Sequence, residues 1–358
     1  MYSLFTNCKV VKGFLRAIIY DLQKNDYHLV PLEIEDVLRS PITPFDAKIT
    51  ENLLVADVIF PSSLPGSNHF EDMNLAFSHP SHISNVVCRV ANESPIREIV
   101  ALLETLRCYN VQFIIEDECD FEIGPLLFLI SVSSFKHVEL VISFPMSEKL
   151  ITATNWSAHP EIRTIFIYKA PTPEISQLDA QHLLIIKSTQ HDINGSPPKN
   201  ESLFIVNVFM YTESLKFNTF YHKKLFIDKF GSLMPALDST TTYGNVLQSN
   251  QDTLSLIQSH RFSRLAHITK EEIFVCNVCE FRHMCVDSRI PRPAKHGKWY
   301  HDTECNYNPF IAKWEHESGF RGLEESGITV NMYGIQINNE VLDRVLSLIY
   351  EVEELSVL

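Results

Sequence analysis

From about residue 84 onward, short β-rich apolar runs recur at intervals of roughly 20 to 27 residues, the length of a β–α unit. The runs are Val86–Ala91, Val111–Glu116, Val138–Ser143, Arg163–Tyr168, Leu183–Ser188 and Phe204–Phe209. Strands that are apolar on both faces and alternate with helices belong to a parallel sheet covered by helices. The clearest linking helix runs from Pro95 to Arg107, with Ser94 as its N-cap and Pro95 in its first turn. Its apolar face carries Ile96, Ile99, Val100, Leu103 and Leu106. Gly124–Val132 is a second linking helix and Glu174–Leu178 a weaker third. The expected fold class is α/β, with six strands in an open, partial (β/α)6 barrel. A flat doubly wound sheet is the competing shape, and periodicity does not separate the two.

Ahead of this rhythm, Lys9–Val11, Phe14–Asp21 and Tyr27–Val30 read as strands, with a polar turn at Lys24-Asn25-Asp26. Pro31 opens a helix-like stretch with Ile34, Val37 and Leu38 on one face. This small α+β unit, residues 1–45, is either a cap on the next domain or a separate peptide-recognition element. Pro61–Asn68 reads as a loop. The barrel is assigned to 46–215 and a C-terminal domain to 216–358. In that last domain, Phe220–Asp228 and Leu233–Leu237 flank a hairpin with Gly231 at its turn. A helix over Asn250–His260 and a closing strand and amphipathic helix over Ile335–Leu358 complete it.

Acidic residues outnumber basic ones, 44 to 30, for a net charge of -14. That balance argues against a nucleic-acid protein or an anionic-membrane protein, since both need a basic face. No apolar run reaches the roughly 18 to 20 residues that span a bilayer, and the first residues lack a signal-peptide pattern. The expected location is cytoplasmic, where cysteines stay reduced and act as ligands, nucleophiles or core residues.

Four of the eight cysteines fall between 276 and 305: Cys276, Cys279, Cys285 and Cys305. Two cysteines with two residues between them can turn both sulfurs onto one ion or one cluster face. Four thiolates saturate either a tetrahedral zinc or the four irons of a cubane. Structural zinc sites usually answer one close pair with another. Here one close pair is followed by two single cysteines, which favours a [4Fe–4S] cluster over zinc. Arg282, Arg289 and Arg292 could offset the charge of such a cluster. His283 and His301 flank the cysteines and are assigned surface or supporting roles rather than ligation. Cys8, Cys88, Cys108 and Cys119 read as small apolar core residues.

The cysteine segment resembles the SPASM domain, the auxiliary-cluster domain of radical-SAM peptide-modifying enzymes. That domain holds two clusters, and this chain matches the half that holds the second. Where the other half needs cysteines, this chain has Ala236 and Arg289, so the resemblance implies one cluster. Three stretches are similar to the SPASM-domain peptide maturases of grasp-with-spasm systems. They are Asn7–Gly13 with Ile19–Gln23, Cys279–Arg282 with Met284-Cys285, and Cys305–Phe310. This resemblance implies a radical-SAM-like partial barrel and a SPASM-like cluster domain. It also implies a maturation factor for a ribosomally synthesised, post-translationally modified peptide. Its expected partners are a precursor peptide and an ATP-grasp ligase.

The radical-SAM signature C-x3-C-x2-C is missing, and the loop after the first repeating strand is only Asn92-Glu93-Ser94. S-adenosylmethionine cleavage is therefore not expected. Phosphate-loop, nucleophile-elbow and HExxH patterns are absent too. Glu116/Asp117 and Glu118/Asp120 sit at a strand end where active sites collect, although a solvated loop is the plainer reading. Three functions follow from these residues: a cluster-bearing maturation factor, a divergent redox enzyme acting on the peptide, or a zinc-stabilised adaptor.

Overall fold

The repeating apolar runs fold into one nine-stranded, mostly parallel sheet. The computed structural model describes residues 2–39, 46–62, 70–116, 121–178, 183–189, 204–236, 239 and 241–356. The chain divides into two compact units. The first is Met1–Ser78, Pro197–Phe220 and Ala266–Leu358; the second is His79–Ser196 and Tyr221–Leu265. The loop read over Pro61–Asn68 lies largely outside the described residues, as do Asp117, Glu118, Cys119 and Asp120.

The large sheet belongs to the second unit. Six of its strands run parallel, in the order Leu183–Lys187, Ile162–Tyr168, His137–Ser143, Asn110–Ile115, Asn85–Val90, Lys224–Ile227. Antiparallel strands close both edges: Glu174–Leu178 on one side, then Ser232–Met234 and Gly244–Asn245 on the other. The helices Ile96–Thr105, Ile123–Ser131 and Phe144–Ala153 connect successive parallel strands. Right-handed crossovers that step repeatedly in one direction place their helices on one side of a sheet. Side-chain parity agrees. Cys88, Val90, Phe113, Ile115, Leu140 and Ile142 share one core with Ile99, Leu103, Leu126 and Ile130 from the helices. The opposite parity is mixed, carrying Arg89, Gln112 and Glu139 beside Val87 and Ile114. Gln112 Nε2 donates to Glu139 Oε1 across it at 2.5 Å. The architecture is thus α/β around an open sheet, and no barrel closes among the described residues.

Two sequence assignments change. Phe204–Phe209 is not a strand. Asn207 accepts a hydrogen bond from Met210 N at 2.7 Å and caps a helix over Val208–Ser214. The β-branched pair Ile205-Val206 sets the strand pattern, but the cap ends the extended backbone. The sixth parallel strand is Lys224–Ile227, and it lies beside the first rather than beyond the fifth. Glu174–Leu178 is an edge strand, not a helix. Five residues are too few to hold a helix in isolation, whereas a ladder to Leu183–Lys187 satisfies their backbone. The hairpin after Lys224–Ile227 turns at Gly231, whose φ of +80° and closeness to Val246 leave no room for a Cβ.

The first unit starts with a three-stranded antiparallel sheet: Cys8–Lys12, Arg16–Asp21, Asp26–Pro31. Its central strand is buried on both faces, and the two faces serve different cores. Ala17 and Ile19 pack with Ile34, Leu38, Leu53 and Ile59. Ile18 and Tyr20 pack with Tyr211, Phe281, Tyr307 and Trp314. A third core joins Phe310, Ile311 and Ile328 to Leu342 and Ile349 on the C-terminal helix Asn339–Ser356. No helix among the described residues is long and apolar enough to cross a membrane.

Candidate metal centre

Two chain arms bring the four cysteines to one place. Thr269 opens the first arm with a capping box, its backbone N–H donating to the Glu272 carboxylate at 2.8 Å. The 3-10 turn Cys276–Val278 follows, entered through Val275 at φ 71°. A β-branched residue in that region is a strained exception, costing on the order of 1–3 kcal/mol, and it aims the next side chain. Cys279 N closes the turn onto Cys276 O at 3.1 Å. Thr219 Oγ1 donates to Cys285 O at 3.2 Å. The second arm, which carries Cys305, is fastened to the first by Phe274 N donating to Trp299 O at 2.8 Å. Arg289 adds a bond to Thr303 O at 2.6 Å.

Cys276, Cys279, Cys285 and Cys305 line a single cavity of about 270 Å³. Each is half-buried and none forms a disulfide. Burial pushes the Cys276 thiol up to about 11 and the Cys279 thiol upward as well, the latter aided by Glu280. A metal that takes these sulfurs as thiolates would displace their protons. Cys8, Cys88 and Cys108 are buried core residues.

The base of the site is an ion-pair network that motif spacing does not reveal. Glu280, 1 % exposed, receives Arg16 Nε at 2.6 Å and the Tyr307 hydroxyl at 2.5 Å on the same oxygen. Tyr20's hydroxyl donates to Glu280 O at 2.7 Å. Burial and the Glu280 carboxylate push the Tyr307 hydroxyl upward, so it stays a donor. Through these bonds the central strand of the N-terminal sheet is bolted to the segment between Cys279 and Cys285. Arg282 ties Lys12 O (2.8 Å) and Cys279 O (2.9 Å) to Glu271. Gly13 sits where any side chain would meet Glu280 Oε2 at 2.7 Å.

A second group lies at the cavity wall. Asp287, 1 % exposed, meets Arg289 at 2.7 Å and Lys270 at 3.2 Å. His301 approaches the same carboxylate at 3.5 Å. Of the three arginines singled out by sequence, Arg282 and Arg289 line the cavity. Arg292 is exposed and pairs with Asp302. His283 is buried, with Nδ1 2.9 Å from the Ser214 hydroxyl, and burial lowers its pKa to about 3. The Lys270–Asp287 pair went unread because a lysine in a short 3-10 turn and a distant aspartate carry no periodic or motif signal.

Two kinds of donor set lie at this cavity. Among the described residues, the three donor atoms that lie within 4.8 Å of one another belong to Cys276, Asp287 and His301. No three of the cysteine sulfurs meet that limit. A tetrahedral zinc with Zn–S bonds of about 2.3 Å would hold its sulfurs about 3.8 Å apart. Four cysteine ligands can also carry an iron–sulfur cluster. Such a cluster supplies one-electron transfer or a rigid fold-stabilising node, and four cysteine ligands leave no iron open to substrate.

No protein-family model matches the chain, and no curated protein matches it. Two crystal structures of Streptococcus suis SuiB do align with it. The S-adenosylmethionine-bound form gives 11 % identity and a TM-score of 0.31, over 85 % of this chain and 100 % of that one. The other gives 9 % and 0.32, over 85 % and 99 %. This likeness is distant, and the site's chemistry has to come from the chain's own residues.

Proposed function

We propose that this chain is a maturation factor for a ribosomally made peptide, built around one [4Fe–4S] cluster on Cys276, Cys279, Cys285 and Cys305. The observation that carries the reading is the shared cavity: thiols from two chain arms line one opening. The peptide role rests on the sequence resemblance of Asn7–Gly13, Cys279–Arg282 and Cys305–Phe310 to grasp-with-spasm maturases. In this reading the chain works in the cytoplasm, binds the precursor and acts with an ATP-grasp ligase. The parallel sheet, covered by helices on one face, is an opened β/α barrel. The four thiolates hold the cluster, and Glu280 and Arg16 fix the arm between Cys279 and Cys285.

Metal analysis after anaerobic purification tests the cluster. About four irons and four sulfides per chain are expected, lost together when Cys276 and Cys279 are both changed to serine. Zinc in place of iron would leave the adaptor reading standing and remove this one. Precursor peptide incubated with the reduced, loaded protein tests the role. Binding without a mass change is expected; a mass change would make the chain a redox enzyme.

A further inference from the structure

Lys270 and Asp287 are buried together beside the cysteine cavity, and Arg289, one-fifth exposed, pairs with the same carboxylate. Lys270's side chain is 5 % exposed and Asp287's 1 %. One carboxylate cannot balance both partners, so the group carries a surplus positive charge. An unbalanced buried charge is costly unless something opposite lies near. Arg289 spends its guanidinium on the carboxylate, through Nε and Nη2, and on Thr303 O. Lys270's ammonium has one described ion-pair contact, and its side chain borders the cavity that the sulfurs line. Burial opposes its charge, and Asp287 at 3.2 Å favours it.

We infer that Lys270 is the charge-balancing residue of the thiolate centre, with Asp287 as the group that positions it. The inference rests on the cluster reading above. A fixed cation beside a cluster favours its more negative, reduced form, because reduction adds charge of the opposite sign. Lys270 therefore raises the reduction potential, and Asp287 moderates that effect.

The test is a dithionite titration of the anaerobically loaded full chain, read by optical and paramagnetic spectra, in wild type, K270M, K270R and D287N. K270M should shift the one-electron equilibrium at least tenfold against reduction, about 59 mV downward. K270R should stay within about threefold of wild type, and D287N should move the opposite way to K270M. A residue that only fills space would give equal shifts for K270M and K270R, or the same sign for D287N, and either result overturns the inference. If K270M takes up no cluster, the opposite-sign requirement on D287N and the match of K270R still decide. A wild-type chain that takes up no iron or sulfide overturns the cluster reading itself. A loaded wild type with an unshifted K270M overturns only the role of Lys270.

Discussion

Replacing Arg16 by methionine would remove the cation from a carboxylate that solvent cannot reach. Glu280 is 1 % exposed, and Arg16 Nε lies 2.6 Å from its Oε1. After the change the Tyr307 hydroxyl would be the one remaining donor to that oxygen among the described residues. Breaking a buried pair from one side costs about 3–5 kcal/mol. Arg16 itself is 27 % exposed, so the lower end, about 3 kcal/mol, is expected. Glu280→Gln should cost less, about 1–2 kcal/mol, because the guanidinium left behind reaches water. The double variant should then lose about 1–3 kcal/mol less than the sum of the two. Urea unfolding under anaerobic conditions, followed by tryptophan fluorescence, measures all three. Trp314 reports directly, since its ring centroid is 4.7 Å from that of Tyr307. A loss under about 1 kcal/mol for Arg16→Met, with no coupling in the double variant, would refute the idea that this pair fastens the N-terminal sheet to the cysteine arm.

Gly13→Ala should weaken the same joint from the backbone side. Its Cβ would stand 2.7 Å from Glu280 Oε2 and 2.9 Å from Arg16 O, so a loss of about 1–3 kcal/mol is expected in the same unfolding assay. Acid should act through His283. Its folded pKa of about 3 lies below the 6.5 of an exposed imidazole, so the unfolded chain binds the extra proton. Stability is unaffected by this group above pH 6.5 and falls as pH drops from there toward 3. The gap is worth roughly 5 kcal/mol at most. A pH series of urea midpoints on wild type and His283→Gln checks it: the variant's curve should be flatter over that window, and parallel curves would show that the imidazole does not drive acid loss.

The regular parts of this fold were readable because they repeat. Val86, Cys88 and Val90 alternate in a strand, and Ile99, Leu103 and Leu106 recur at helical spacing, so both periods survive in the text of the chain. Phe204–Phe209 misled because a single Asn207 cap outweighs two β-branched neighbours. Glu174–Leu178 misled because the ladder that makes it a strand lies on another segment. Around the cysteines, spacing marks the sulfurs but not their surroundings. Arg16 meets Glu280 across 264 residues, and Lys270, at the start of a short 3-10 turn, meets Asp287. Pairs of that kind follow from tertiary packing, and no local period announces them.

The strand Arg16–Asp21 leaves the ribosome long before half of what covers it. Its Ala17 and Ile19 side finds Ile34, Leu53 and Ile59 soon after synthesis. Its Ile18 and Tyr20 side needs Phe281, Tyr307 and Trp314. At 5–20 residues per second, the 264 positions from Arg16 to Glu280 take roughly 13 to 50 s to translate. Through that interval the nascent chain carries a half-dressed sheet. A polypeptide halted before Glu280 would keep that greasy side open, a surface for chaperones to hold and for proteases to recognise.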